Sequence, residues 1–149
     1  MATCFKLCPD GAFGLALLMS AAGGMISMLL APKVGRALGH RAIPLIGACL
    51  CVAFLCPTFA SDVVTLGAAL FAMGATVAML DITANVEISA REVQKKTHLM
   101  GVAHAMFSFA FAASAYGCGL ARQAGYGPDQ VFPILAVICF GVVALTISP

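Results

Sequence analysis

One acidic residue, Asp81, follows a long uncharged stretch of the sequence. Residues 63–80 contain no Asp, Glu, Lys or Arg, and five more uncharged residues follow Asp81. If this stretch crosses a membrane, the acid is costly there and is expected to face a cavity or a charged partner. Asp81 could therefore bind and release a proton. The alternative is that it lies near the membrane surface and pairs with Arg91 or another cation.

Asn85 follows Asp81 by one helical turn and adds a second polar group to the same helical face. At about 100° per residue, Gly67 and Gly74 share that face as well. This face carries small residues at one end and polar residues at the other, which is typical of a helix that lines a solute pathway. An amide can donate and accept the hydrogen bonds that sugar hydroxyls require. A hydrogen bond between helices would explain Asn85 equally well.

His104 and Ser108 lie one turn apart near the start of another apolar stretch. Histidine can relay protons near neutral pH, so both residues are candidates for a proton or solute pathway. The alternative for His104 is a hydrogen bond to the polar segment 87–98.

The sequence contains no HExxH, GxSxG or GxxxxGK[ST] pattern, and its cysteines and histidines lack the spacing of a metal site. We therefore expect no enzyme activity, no metal and no cofactor.

The composition indicates which solvent surrounds these residues. Of 149 residues, 62% are hydrophobic and 9% are charged, whereas a soluble domain has about a quarter charged residues. A soluble chain of this size could not bury so much apolar surface, but segments of roughly 20 apolar residues can cross a bilayer as helices. We predict an all-α, polytopic transmembrane helix bundle forming a single domain over residues 1–149. Its five predicted spans are approximately 12–31, 42–60, 63–86, 99–121 and 131–148.

The positive charges predict the orientation of these spans. Six of the eight Lys and Arg residues lie in the connections 33–41 and 87–98, so the positive-inside rule places both connections in the cytoplasm. The protein would then be a multi-pass protein of the plasma membrane, or bacterial inner membrane, whose first helix runs inward. A net charge of +2 without a basic, aromatic run gives no indication of nucleic-acid binding.

Two features predict how the helices pack. Ala16, Ser20 and Gly24 are spaced four residues apart, and Gly23 and Ser27 repeat this spacing. Such rows of small residues let membrane helices approach closely. Short connections predict that consecutive helices are antiparallel neighbours.

The first connection resembles a motif of the major facilitator superfamily of transporters. In that family a D-R-x-G-R-[RK] pattern lies between helices two and three. Arg36, Gly39 and Arg41 match this pattern with one extra residue between Arg36 and Gly39, whereas Gly35 replaces the acid and His40 replaces a cation.

Two further segments resemble the fucose-permease-like branch of the same superfamily. Asp81 and Asn85 match an acidic-x-x-x-Asn segment of helix four. Residues 100–108 resemble an M-x-x-x-H-A-x-F-S pattern at the start of helix five, with His104 and Ser108 in place. The resemblance implies that Asp81 is the site of proton coupling and sugar recognition.

The resemblance also implies an architecture and a function. The five helices would correspond to helices two to six of an N-terminal half, and a missing first helix would explain the orientation. We expect secondary active transport of a small solute by alternating access, as in sugar–proton symport. The expected partners are the lipid bilayer, a small-molecule solute, protons, and either a missing second half or other copies of the chain. The alternative is a non-transporting truncated membrane protein or an oligomeric scaffold.

Overall fold

The computed structural model describes residues 10–147, and this part of the chain is helical apart from short turns. Its α-helices are α1 (Asp10–Leu38), α2 (Ala42–Leu55), α3 (Val63–Lys95), α4 (Leu99–Gln123) and α5 (Pro128–Ile147). Short 3-10 helices, Gly39–Arg41 and Cys56–Phe59, follow α1 and α2. The predicted all-α class is confirmed, with no β-strand among residues 10–147. Residue 148, the predicted end of the fifth span, lies outside the described residues.

Several of these helices have the length and apolar composition to cross a membrane. Four continuous helical stretches among the described residues qualify, namely Gly14–Phe59, Val63–Lys95, Leu99–Gln123 and Pro128–Leu145. The first stretch has 46 residues and contains a corner, because Gly39 has a φ of +54°. This left-handed conformation commonly ends a helix and is easily adopted by glycine, which has no Cβ. The prediction of membrane-length apolar helices is thus confirmed.

The two polar connections predicted at 33–41 and 87–98 are largely helical. α1 continues to Leu38 and α3 continues to Lys95, so the prediction of loops there is wrong for most of both segments. Residues 87–95 contain no helix-breaking residue. Glu87 and Arg91, which lie one turn apart, form an ion pair at 2.8 Å that stabilises the helix. The 33 residues of α3 extend about 50 Å, which exceeds the roughly 30 Å thickness of a hydrocarbon core.

The main neighbour of α1 is α3 rather than α2. Near one end Gly67 lies against Ala16, and near the other Thr83 lies against Gly35. Residue numbers rise together along both helices, so α1 and α3 run parallel. The prediction that consecutive helices are neighbours is therefore wrong for α1 and α2.

The predicted row of small residues forms this α1–α3 contact. Ser20 lies against Gly74, and the backbone of Ala75 approaches Gly23 so closely that a Cβ there would be 3.1 Å from its nitrogen. Ser27 is buried and donates its hydroxyl hydrogen to the Ala75 carbonyl oxygen at 2.7 Å. The prediction that these small residues support close helix packing is confirmed.

α2 packs against α5 and, less extensively, against α3. A Cβ on Gly47 would lie 2.7 Å from a methyl group of Val143, and the thiols of Cys51 and Cys139 lie close enough to interact. Residue numbers rise along one helix and fall along the other, so α2 and α5 are antiparallel.

α4 stands apart from this packing. None of its residues is buried, and its main contact with the described helices is with α3. Large apolar side chains such as Phe107, Phe109 and Phe111 are exposed along it. In a membrane these side chains would contact lipid or further helices.

Candidate functional site

Asp81 lies on α3 at a point where α1 no longer covers its face. Seven residues make nearly two turns, so Asp81 lies within about 20° of Gly74 around the helix axis. Gly74 packs against Ser20 of α1, whereas α1 reaches Thr83 through Gly35 on the opposite side of α3. The contact with α1 therefore moves around α3, and the carboxylate of Asp81 is left exposed.

The face predicted to line a solute pathway is thus divided between two environments. α1 covers its small end, because Gly67 and Gly74 are both packed against α1 residues. The idea that this end lines a pathway is wrong, since the space is filled by a helix. At the polar end Asp81 is exposed and Asn85 is half-buried. Neither side chain has a hydrogen bond or an ion pair with any residue in the range 10–147.

Arg91 is not the partner of Asp81. Its Nε donates to Oε1 of Glu87 at 2.8 Å, and both side chains are largely exposed. The alternative interpretation that Asp81 pairs with Arg91 is therefore wrong. A surface pair of this kind contributes little to stability, so Arg91 and Glu87 act mainly as helix-surface charges.

A residue count along α3 gives the expected depth of Asp81 in a membrane. About 20 helical residues cross a core of roughly 30 Å. If α3 enters the hydrocarbon layer at Val63, where it begins, it would leave the layer near Thr83. Gly35 of α1 contacts Thr83 and would lie at the same edge. Asp81 would then lie about 3 Å inside this edge.

His104 and Ser108 are both exposed on α4. The Ser108 hydroxyl donates to the backbone oxygen of His104 at 2.9 Å, whereas the His104 ring has no hydrogen bond to the described part of the chain. The predicted bond from this ring to segment 87–98 is therefore not formed. Within the same residues no hydrogen bond or ion pair joins His104 or Ser108 to Asp81 or Asn85.

Glu92 has a structural role that the sequence analysis missed. Its Oε2 accepts a hydrogen bond from the backbone nitrogen of Met100 at 2.8 Å, and its Oε1 lies 3.8 Å from Nδ1 of His98. The carboxylate thus satisfies one of the unpaired N–H groups in the first turn of α4 and faces its positive end. An acid one turn before a short connection was the signal available in the sequence.

The motif residues of the first connection surround the corner between α1 and α2. Gly39 adopts the left-handed conformation there, and Arg36 and Arg41 are exposed on either side of it. Neither arginine has an ion pair within the described residues. Gly35, where the resembling family has an acid, has room for a side chain, since a Cβ would lie 3.9 Å from a methyl group of Thr83.

The described residues contain no group of three or more His, Cys, Asp or Glu side chains that could hold a metal ion.

Comparison with known proteins adds no relative: no family model, curated protein or solved structure gives a significant match. The function proposed below therefore rests on the residues of this chain and their geometry.

Proposed function

We propose that this chain is part of a secondary active transporter that moves a small solute, such as a sugar, together with protons. The observation that carries the proposal is the carboxylate of Asp81, which is exposed on a long apolar helix and has no cationic partner in the described range. A carboxylate at the edge of the hydrocarbon layer is within reach of water and can exchange a proton with it. It can move into the apolar layer during a conformational change only when its charge is neutralised. Asn85 would supply hydrogen bonds to solute hydroxyls one turn further along.

The proposed architecture is a five-span, major-facilitator-type N-terminal half. The corner at Gly39 separates α1 from α2, so that α1 would cross the membrane alone, as would α2 together with the 3-10 helix Cys56–Phe59. The parallel pair α1–α3 and the antiparallel pair α2–α5 have the relative directions that five successive crossings require. The order of the motif residues along the chain also supports this architecture. These residues are Arg36, Gly39, Arg41, Asp81, Asn85, His104 and Ser108.

The proposed solute site lies between this bundle and further helices, which a second half or copies of the chain would supply. α4 offers a surface for them, because none of its residues is buried. His104 and Ser108 are exposed on that surface. Under the positive-inside rule, segments 33–41 and 87–98 face the cytoplasm of the plasma, or bacterial inner, membrane.

Transport in liposomes by the purified chain, whose own copies would supply the further helices, tests this proposal. Uptake of labelled monosaccharides is measured with and without an inward proton gradient, for the wild type, Asp81→Asn and Asp129→Asn. We expect gradient-driven uptake by the wild type and by Asp129→Asn, which removes the same charge from the first turn of α5. Uptake by Asp81→Asn should fall to the level of empty liposomes. Equal fluxes in all three proteins would remove Asp81 from the mechanism.

A second candidate function is that of a non-transporting oligomeric scaffold. The fully unburied α4 favours it, because such a helix can pack against copies of itself. Light scattering of the purified protein in detergent measures the number of chains in the assembly. A defined oligomer that shows no gradient-driven uptake of any sugar tested would favour the scaffold over the transporter.

A further inference from the structure

The parallel arrangement of α1 and α3 gathers most of the cationic side chains at one end of the molecule. All of these side chains are exposed, and within residues 10–147 only Arg91 has an ion-pair partner. The inner triad comprises Lys33, Arg36 and Arg41, and the outer triad comprises Arg91, Lys95 and Lys96.

The two triads lie at different distances from the hydrocarbon layer. Lys33 and Arg36 flank Gly35, which contacts Thr83 at the edge reached by counting along α3 from Val63. Lys95 lies twelve residues beyond Thr83 on the same helix, which is about 18 Å along the axis. A headgroup layer is only about 5 to 8 Å thick on each side. The inner triad is thus level with lipid headgroups, whereas the outer triad extends into water.

The surface of α1 next to the inner triad is suited to acyl chains. Met25, Met28 and Leu29 precede Lys33 on the same helix and are exposed, Leu29 by 77%. Cations at headgroup level and apolar side chains on their membrane side are the two features that recognise an anionic phospholipid. The charge at this level is not cancelled, because Asp81 has no ion pair with the inner triad.

We propose that the inner triad binds the phosphodiester headgroups of anionic phospholipids, whose acyl chains lie along α1. The two guanidinium groups can each hold a phosphate through paired N–H donors, and Lys33 adds a point charge. The proposal depends on the placement of the chain in a bilayer and is independent of transport.

Lipid binding by the purified protein in neutral detergent tests this proposal. Native mass spectrometry counts the bound molecules of phosphatidylglycerol and, in parallel, of phosphatidylcholine. We compare the wild type with Lys33→Gln/Arg36→Gln/Arg41→Gln and with Arg91→Gln/Lys95→Gln/Lys96→Gln, which removes the same charge from the outer triad. Phosphatidylglycerol should bind the wild type more tightly than phosphatidylcholine, and inner-triad neutralisation should weaken it roughly fivefold per cation. The outer-triad variant should retain nearly wild-type binding.

Four results would overturn the proposal. Equal losses in both triple variants would show that net charge alone attracts the lipid, and no loss in either would exclude the triad. Competition by free glycerol phosphate as strong as that by phosphatidylglycerol would indicate a site for a soluble anion.

Because inner-triad variants can fold incorrectly, the wild type is also measured at increasing salt. An affinity for phosphatidylglycerol that does not fall as salt screens the charges contradicts the proposal without any mutation.

Discussion

Ser27 and Ala75 connect α1 to α3 through a hydrogen bond, in which the Ser27 hydroxyl donates to the Ala75 carbonyl oxygen at 2.7 Å. The serine is only 2% exposed, so neither water nor lipid competes for this bond. A carbonyl oxygen has two lone pairs, so Ala75 can accept this bond while remaining within its own helix. The bond fixes the rotation of one helix against the other one turn from Gly23, which the Ala75 nitrogen approaches closely.

Replacing Ser27 with alanine should weaken the α1–α3 contact modestly. Interhelical hydrogen bonds in membrane proteins contribute about 0.6 kcal/mol on average and up to about 1.7 kcal/mol, and we expect a loss in this range. The free energy of unfolding is measured by titrating the protein in mixed micelles with sodium dodecyl sulfate. Ser114→Ala is the matched control, because that hydroxyl bonds to Phe111 within its own exposed helix at 3.0 Å. Equal losses in both variants would contradict the role of Ser27.

Alanine should lower stability at Gly74 but not at Gly117. A Cβ on Gly74 would overlap the backbone oxygen of Ser20, whereas a Cβ on Gly117 meets nothing within 4 Å. Overpacking typically costs about 1–3 kcal/mol, so Gly74→Ala should unfold at a lower concentration of sodium dodecyl sulfate. Gly117→Ala should be neutral or slightly stabilising, because alanine is the better helix former. Equal midpoints for the two variants would show that α1 and α3 do not meet at Gly74.

The sequence was sufficient to predict helices of membrane length, but not their neighbours. Composition and run length predict a membrane helix, since lipid requires internally paired backbone groups. Periodicity correctly placed Gly74 and Asp81 on one face, yet it gives no information about which helix covers that face. The prediction that the charged residues of segment 87–98 mark the end of a helix is also wrong. These residues end only its apolar run, because a charged residue does not interrupt helical hydrogen bonding. The partner of α1 depends on contacts between distant segments, which no local pattern encodes.

Mild oxidation should join α2 to α5 through Cys51 and Cys139. Their thiols lie close enough to interact, so iodine should convert this pair of thiols to a disulfide with release of two iodide ions and two protons. Mass spectrometry of a proteolytic digest should identify the cross-linked peptides. Cys51→Ser should abolish this product, whereas Cys49→Ser, at an exposed position, should leave it unchanged. A cross-link from Cys139 to Cys49 instead would contradict the observed rotation of α2.

Asp62 should make the stability of α3 depend on pH in acid. Its Oδ1 accepts a hydrogen bond from the Thr65 backbone nitrogen at 2.8 Å, and the Thr65 hydroxyl oxygen accepts one from the Asp62 nitrogen at 3.1 Å. The Thr65 backbone N–H holds the pKa of the Asp62 carboxyl below its ordinary value of 3.8. Because folding favours the charged form, the stabilisation is fully present above the ordinary pKa and is lost as the pH falls through the lowered pKa.

Comparison of the wild type with Asp62→Asn isolates this effect. Asparagine is also a good N-cap, but its amide does not titrate, so the variant keeps an acceptor for the Thr65 N–H at every pH. We expect the wild type to be at least as stable as the variant near neutral pH and to lose stability more steeply below about pH 4. The free energy of unfolding of both proteins is measured in non-ionic micelles from pH 7 to pH 2. Parallel curves would show that the Asp62 carboxylate contributes nothing to folding, since every other titrating group is shared by the two proteins.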